Sequence, residues 1–271
     1  MNPRSGGGKA TRAGIAERAR ELGVDVIVLR ADDDLAALVH DAVARGADAL
    51  GAAGGDGSLA VVAAAAFAHD LPFVCVPAGT RNHFALDVGV DRGDLVGSLD
   101  AFTDGVERRI DVAEVNGRLF LNNVSLGIYG DAVQQSTYRD AKARTLAQTA
   151  AQVLGPSAPA AGLDLVDDRG RAHRDPVVVL VSNNPYSFEP PRAPGTRATL
   201  DSGQLGVVVL DRPAPGQTSA RTWTAKQLEV IATAPVHAGI DGEAVELTSP
   251  LRFVIRPETL RIRISSRQTA V

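Results

Sequence analysis

The chain has 271 residues, 45% of them hydrophobic, and a formal net charge of −4. That length allows two domains, and the acidic balance gives no support for nucleic-acid binding. A single cysteine, Cys75, excludes a disulfide within the chain, and no apolar run reaches the roughly 20 residues of a membrane-spanning helix.

The opening Met1-Asn2-Pro3-Arg4-Ser5-Gly6 carries no apolar leader, so a reduced, cytoplasmic protein is expected. Ile15, Ala19 and Leu22 recur at helical spacing and predict a helix from Lys9 to Leu22, stopped by Gly23. Val24–Leu29 reads as a strand. Asp33 or Asp34 caps a helix through Ala44, ended at Gly46. Ala47–Ala53 reads as a buried strand, Leu59–Ala68 as an Ala-rich helix, and Phe73–Val76 as the next strand. Strands alternating with helices predict a parallel sheet. A further helix is predicted over Asp94–Phe102.

Between the Ala47–Ala53 strand and its helix stands Gly54-Gly55-Asp56-Gly57-Ser58. A strand, a glycine turn and a helix N-terminus present backbone N–H groups to phosphate. Asp56 is the unusual member, because a carboxylate repels phosphate unless a divalent cation or ordered water lies between them. The loop therefore points to a nucleotide with Mg²⁺. Two commoner motifs fail. Gly55-x-Gly57-x-x-Ala60 fits a dinucleotide fingerprint, but Phe73–Pro77 lacks the acid expected about 20 residues on. Gly8-Lys9 is followed by Ala10 where a Walker A loop needs Ser or Thr. Pro77-Ala78-Gly79-Thr80-Arg81-Asn82 forms a second polar, glycine-bearing loop at a strand's C-terminal end. In open α/β sheets such ends form the ligand crevice.

The pattern changes near Glu107. Arg109–Val115 and Arg118–Val124, joined by Asn116-Gly117, read as a hairpin. Gly130–Leu154 reads as helical and Pro156–Gly162 as a linker. Short strands are then predicted at Leu163–Val166, Val177–Ser182, Ala198–Leu200, Leu205–Leu210, Val230–Thr233, Leu251–Ile255 and Leu260–Ile264, which suggests an antiparallel sandwich.

Asn2-Pro3-Arg4-Ser5-Gly6, the Gly54–Ser58 loop, Pro77–Asn82 and Ile240-Asp241-Gly242-Glu243, in this order, resemble the diacylglycerol kinase catalytic domain family. That family includes bacterial lipid kinases and sphingosine kinases and is a distant relative of NAD kinases. The resemblance implies an α/β N-terminal domain with a parallel, Rossmann-like sheet over residues 1–107. It implies a C-terminal antiparallel β-sandwich domain over 108–271 and an active site in the interdomain cleft. It implies ATP and Mg²⁺ as cofactors, and Asn2, Ser5, Gly6, Gly54, Gly55, Asp56, Gly57, Ser58, Gly79, Thr80 and Asn82 as nucleotide contacts, with Asp56 serving the metal. Asp241 would be the base acting on a lipid hydroxyl, with Glu243 beside it.

The sequence departs from the family pattern at Ser58 (usually Thr), His83 (usually Asp) and Ser202 (usually Asp, in a turn that can bind a structural metal). The family also places a strand before Asn-Pro, so a gap in the sheet is expected beside Asn2. The expectation is an ATP-dependent lipid kinase acting on diacylglycerol. It would be cytoplasmic, with transient peripheral membrane association, and a homodimer is left open. Rival readings are another lipid alcohol or NAD as acceptor, or a nucleotide sensor without catalysis. Tyr186 and Phe188 in a Pro-rich loop, with Arg139, Lys142 and Arg144 on the 130–154 helix, are the expected membrane-facing groups. The plainer alternatives are that Asp241 merely forms a turn with Gly242 and that the two rings pack inside the sandwich.

Overall fold

The computed structural model describes residues 1–127, 162–174, 176–187, 196–211 and 220–268. The predicted 130–154 helix, its basic residues and Phe188 lie outside them. The chain divides into two compact units: Met1–Ile110 with the stretch from Glu258 onward, and Asp111–Pro257.

In the first unit the predicted first helix is broken. Gly14, with φ 62°, separates α1 (Lys9–Arg12) from α2 (Ile15–Glu21). α3 (Leu35–Ala44) is capped by Asp34, whose Oδ1 accepts from the N–H groups of Ala36 and Ala37 at 2.9 and 3.3 Å. Such a cap contributes about 1 kcal/mol. β1 (Leu50–Gly54) runs parallel to β2 (Phe73–Pro77), with Leu50 opposite Phe73 and Gly54 opposite Pro77. α4 (Asp56–Ala68) connects them. Its buried Leu59, Val62, Ala63 and Ala66 follow helical spacing and form one apolar stripe. Truncating Leu59 to Ala would cost about 2–5 kcal/mol. A short α5 (His83–Asp87) follows β2.

Val24–Leu29, predicted as a strand, is not one. Val24 N–H donates back to the Ala19 carbonyl at 3.0 Å, and across the segment only Met1, among the described residues, pairs with it: the Met1 ammonium donates to the Ile27 carbonyl at 2.7 Å, and Leu29 N–H donates to the Met1 carbonyl at 2.9 Å. A single bridge does not make a ladder. A cavity of about 530 Å³ opens beside this stretch, lined by Val24, Val26, Leu29, Leu38, Leu50 and Phe102 among others.

The division of the chain differs from the expected boundary at 107. β3 (Gly105–Val115) belongs to the first unit up to Ile110. The two strands expected near the end form one long strand (Leu251–Ser265), whose Ile262 and Arg263 pair in parallel with Phe73 and Val74. Those residues return to the first unit because β2, buried at every position, takes a hydrogen-bonded neighbour on its second edge.

The second unit is a two-sheet antiparallel sandwich. β4 (Arg118–Phe120) completes the predicted hairpin with β3. Asn116 and Gly117 carry φ of 50° and 79°, as a two-residue type I′ turn requires. The hairpin strand does not continue to Val124: the chain breaks at Leu121-Asn122, and β5 (Asn123–Gly127) joins the other sheet. Next come β6 (Leu163–Asp167), β7 (Ala172–Arg174), β8 (Val178–Asn183), β9 (Tyr186–Ser187) and β10 (Thr196–Arg197). β11 (Leu205–Leu210), β12 (Ala220–Ala225), β13 (Gln227–Ala232), β14 (Val236–Ile240) and β15 (Glu243–Leu247) lead to the final strand, β16. One sheet has the order β12-β11-β8-β5-β14-β15; in the other, β13 lies between β6 and β16. Val124, Val181 and Val207 from the first meet Leu165, Leu228 and Phe253 from the second in one core.

β7 and β12 carry a polar pair. The His173 ring stacks on Trp223 with centroids 4.4 Å apart, and Arg221 Nη1 donates to His173 Nδ1 at 2.6 Å. Arg221 is also bonded to Asp211, while Asp167, itself paired with Arg171, lies 4.0 Å from His173 Nε2. Burial first and the Arg221 charge second hold the His173 pKa below its ordinary 6.5. The unfolded chain therefore binds a proton that the folded chain resists. Stability from this group is full above pH 6.5 and is lost as pH falls from 6.5 toward the lower folded value. Urea midpoints of His173→Gln should lose the wild-type slope between about pH 7 and 5.5. An unchanged slope would assign the effect to carboxylates.

Candidate functional site

In the first unit three loops meet on glycines. Gly6 has φ 55°, and a methyl group there would strike the carbonyl oxygen of Ala78 and approach Gly79 at 3.1 Å. A methyl on Gly79 would lie 2.5 Å from Gly55 Cα and 2.7 Å from Asn82 Oδ1. One on Gly54 would lie 2.8 Å from Ser58 Cβ, with Ser5 Oγ at 3.7 Å. The loops at 2–6, 54–58 and 77–82 are therefore packed backbone against backbone, which only glycine permits. The structure brings together Ser5, Gly6, Gly54, Gly55, Ser58, Gly79 and Asn82 among the expected nucleotide contacts. Asn2 joins them through its N–H, which donates to the Ala53 carbonyl at 2.8 Å.

α4 begins at Asp56, and its N-cap Gly55 makes no side-chain cap. The first N–H groups of the helix thus face outward with the positive end of its dipole, a ready anion site. Asp56 Oδ1 accepts weakly from Phe84 N–H at 3.4 Å. Asn82, in the left-handed region at φ 51°, donates to the carbonyls of Pro77 and Gly79 at 2.8 and 2.9 Å. Its Oδ1 is buried and has no hydrogen-bond partner. Cys75, on β2, is buried. Burial, and secondarily the Asp56 charge, push its thiol pKa upward, which leaves it an inert packing group.

No group of three or more His, Cys, Asp or Glu side chains gathers among the described residues. A protein cage for a metal is thus absent there, but a lone hard carboxylate beside a phosphate loop suits Mg²⁺, which is commonly held by one or two carboxylates plus substrate phosphates. The Asp201-Ser202-Gly203 turn does not suit a cation. Asn184 Oδ1 already accepts from Ser202 N–H and Oγ–H at 2.9 and 2.6 Å, Asp111 Oδ2 accepts from Gly203 N–H at 2.7 Å, and Asp201 accepts from the Thr199 hydroxyl.

In the second unit Asp241 and Gly242, with φ of 49° and 87°, form the β14–β15 turn. The Asp241 carboxylate accepts three backbone N–H bonds, from Leu121 at 2.8 Å, Asn122 at 2.7 Å and Asn123 at 3.1 Å. Glu243, the first residue of β15, is paired with Ile240 in the hairpin, but its exposed side chain hydrogen-bonds to no described residue. Sequence reasoning missed the strand break that supplies those three donors. The signal available was Asn122-Asn123, since asparagine is depleted in strands. Tyr186 is half-buried, and its hydroxyl accepts from Asn123 Nδ2 at 2.9 Å. Its hydroxyl is therefore tied into the unit.

With this geometry in place, residues 1–115 match the family model for the diacylglycerol kinase catalytic domain. These 115 residues carry the chain's likeness to the diacylglycerol kinase catalytic domain family. All three glycine loops fall inside that matched segment. A Pseudomonas aeruginosa (PAO1) protein named "Probable lipid kinase YegS-like" is 36% identical over 147 residues, 52% of this chain and 47% of that protein. A "Diacylglycerol kinase" of Mycobacterium tuberculosis (H37Rv) is 34% identical over 118 residues, 42% of this chain and 38% of that protein. The chain thus spans about half or less of the length of these relatives. The crystal structure of a diacylglycerol kinase from Bacillus anthracis str. Sterne superposes with a TM-score of 0.67 at 16% identity, covering 98% of this chain and 95% of that one. It establishes that both units share the diacylglycerol kinase fold. No described helix is long and apolar enough to cross a membrane.

Proposed function

We propose that this protein is an ATP-dependent lipid kinase that transfers the γ-phosphoryl group to a lipid hydroxyl, with diacylglycerol as the acceptor. The observation that carries the reading is the packing of three glycine loops around the bare N-terminus of α4 with Asp56 at its head. Backbone N–H groups there hold phosphates. Asp56 would hold Mg²⁺ together with the nucleotide's own phosphates, and the ion neutralises charge on them. The match of residues 1–115 to the family model and the names of the relatives support the kinase class and a lipid acceptor.

The chemistry needs little from the protein beyond positioning and a proton acceptor. The acceptor oxygen bonds to the γ-phosphorus, the bond from that phosphorus to the β,γ-bridging oxygen breaks, and ADP leaves. The hydroxyl proton passes to a carboxylate. Of the two acids at the β14–β15 turn, Asp241 has its oxygens engaged by backbone N–H groups, whereas Glu243 is open. Glu243 is therefore the base in this reading, and Asp241 holds the turn that carries it.

Incubating the protein with γ-labelled ATP, Mg²⁺ and a panel of diacylglycerol, sphingoid bases, other lipid alcohols and NAD tests the assignment. Label in phosphatidic acid is the expected result. Label only in another acceptor would reassign the substrate, and nucleotide binding without any product would make the protein a sensor. Asp56→Ala should weaken Mg·ATP by at least the roughly tenfold lost when a metal site's outer partners are removed. Metal-free ATP should be affected less, because the mutation also removes repulsion. Calorimetry with and without Mg²⁺ reads the difference; equal losses would reduce Asp56 to a turn residue.

A further inference from the structure

Arg197 sits at the end of β10 and is 4% exposed. Its guanidinium clamps the strand break from the side opposite Asp241. Nη1 donates to the carbonyls of Leu121 at 2.5 Å and Asn183 at 2.8 Å, and Nη2 donates to Asn122 Oδ1 at 3.0 Å. Asn183 Nδ2 reinforces the clamp on the Leu121 carbonyl at 3.2 Å.

The Leu121 carbonyl and the Asn122 N–H belong to one planar peptide group. The carbonyl end faces Arg197, and the N–H end donates to Asp241 Oδ1 at 2.7 Å, the shortest of its three backbone bonds. A cation on the carbonyl and an anion on the N–H both align with the peptide dipole. Each polarises the group in the sense that strengthens the other bond, and low local dielectric enlarges the effect. We propose that Arg197 is a positioning residue for Asp241, joined to it through the single peptide group between Leu121 and Asn122, and that this relay fixes the turn presenting Glu243.

Two further bonds make the frame rigid. Asp241 N–H donates to the Asn123 carbonyl at 2.9 Å, so the turn and the strand break grip each other through both backbone and side chain. Asn183 N–H donates to the Asn122 carbonyl at 3.0 Å, which ties the break to β8. A turn whose two residues both have positive φ can swing its following residue with small changes in dihedral angle. Held from both faces, it keeps the Glu243 backbone in place. Displacing a reacting group by about 1 Å can cost about 10²-fold in rate. The catalytic part of this inference rests on the kinase reading above; the relay itself does not.

The test uses the full chain. Wild type, Arg197→Gln, Asp241→Asn and the double variant are compared by urea denaturation and by turnover at saturating Mg·ATP. The relay predicts that the unfolding equilibrium constants are coupled by about tenfold relative to additive losses. It also predicts that kcat of Arg197→Gln falls about 10–100-fold while KM for Mg·ATP stays within about twofold of wild type. Arg197→Lys, which keeps a cation at the Leu121 carbonyl, should recover part of that turnover. Should Arg197→Gln not fold, the same cycle is built on Arg197→Met, which keeps the aliphatic stem and removes the cation. Additive losses in urea overturn the relay whether or not any kinase activity is found. Lowered stability with kcat and KM unchanged makes Arg197 a packing residue and overturns its positioning role. Coupling in urea with a wild type that phosphorylates no acceptor upholds the relay and refutes the kinase reading instead.

Discussion

Replacing Glu243 with Gln should lower kcat by roughly 10²–10⁴-fold, the scale of a lost general base, and leave Tm within about 2 °C of wild type. The side chain is exposed and hydrogen-bonds to no described residue, so the fold loses nothing when its charge is removed. Asp241→Asn should behave differently. Its amide can offer only one oxygen where three backbone N–H groups converge, and its own N–H₂ would point at a donor. Hydrogen bonds to charged groups contribute about 1.5–3 kcal/mol each, so this variant should lose about 2 kcal/mol of stability as well as turnover. Steady-state kinetics and urea denaturation of the two variants separate a reacting acid from the acid that holds it. Near-wild-type turnover in Glu243→Gln would sink the assignment. Full stability in Asp241→Asn would show that the three bonds are not needed to hold the turn.

The glycine loops were legible in the sequence because their chemistry is local. Gly54–Ser58 between a strand and a helix has few other uses, and Pro77–Asn82 repeats the pattern at the next strand end. Most strands were legible for the same reason: Leu205–Leu210 is an unbroken apolar run and emerged as β11 with those bounds. What could not be read depends on distant partners. Leu251–Ser265 looks like two strands because Arg256-Pro257-Glu258 interrupts its apolar pattern, yet it is one, with its two ends in different units. Val24–Leu29 looks like a strand by composition, but hydrogen-bonded neighbours along its length make a strand, and among the described residues its cross-chain bridge is to Met1. The role of Asp241 was hidden because its partners are about 120 residues earlier, at a break no periodicity announces. Arg197 was invisible for a like reason. Nothing in Thr196-Arg197-Ala198 marks a buried guanidinium until β8 and the Leu121-Asn122 break are folded around it.

Gly6→Ala and Gly7→Ala make a matched pair that isolates how tightly the first glycine loop is docked. Both residues lie in the left-handed region, at φ 55° and 66°, so both alanines carry a similar backbone penalty of about 1–2 kcal/mol. They differ in surroundings. A methyl on Gly7 meets nothing within 4 Å, whereas one on Gly6 strikes the Ala78 carbonyl and lies 3.1 Å from the Gly79 carbonyl. Those are backbone atoms and cannot swing aside. Ala78 itself is fully buried, and its N–H donates to the Val76 carbonyl at 2.8 Å, so the 77–82 loop has little room to retreat. Overpacking of this kind typically costs 1–3 kcal/mol. Gly6→Ala should therefore unfold about 2 kcal/mol more easily than Gly7→Ala. If the loops form the nucleotide site, the same displacement should reach the ligand. A 2 kcal/mol penalty corresponds to about a thirtyfold loss of ADP affinity, and Gly7→Ala should stay close to wild type in that assay. Urea denaturation and calorimetric titration with ADP read the two quantities on the same preparations. Equal losses of stability in the two variants would mean that the 2–6 loop is not held against Ala78 and Gly79. A stability difference with unchanged ADP binding would separate this packing from the nucleotide site.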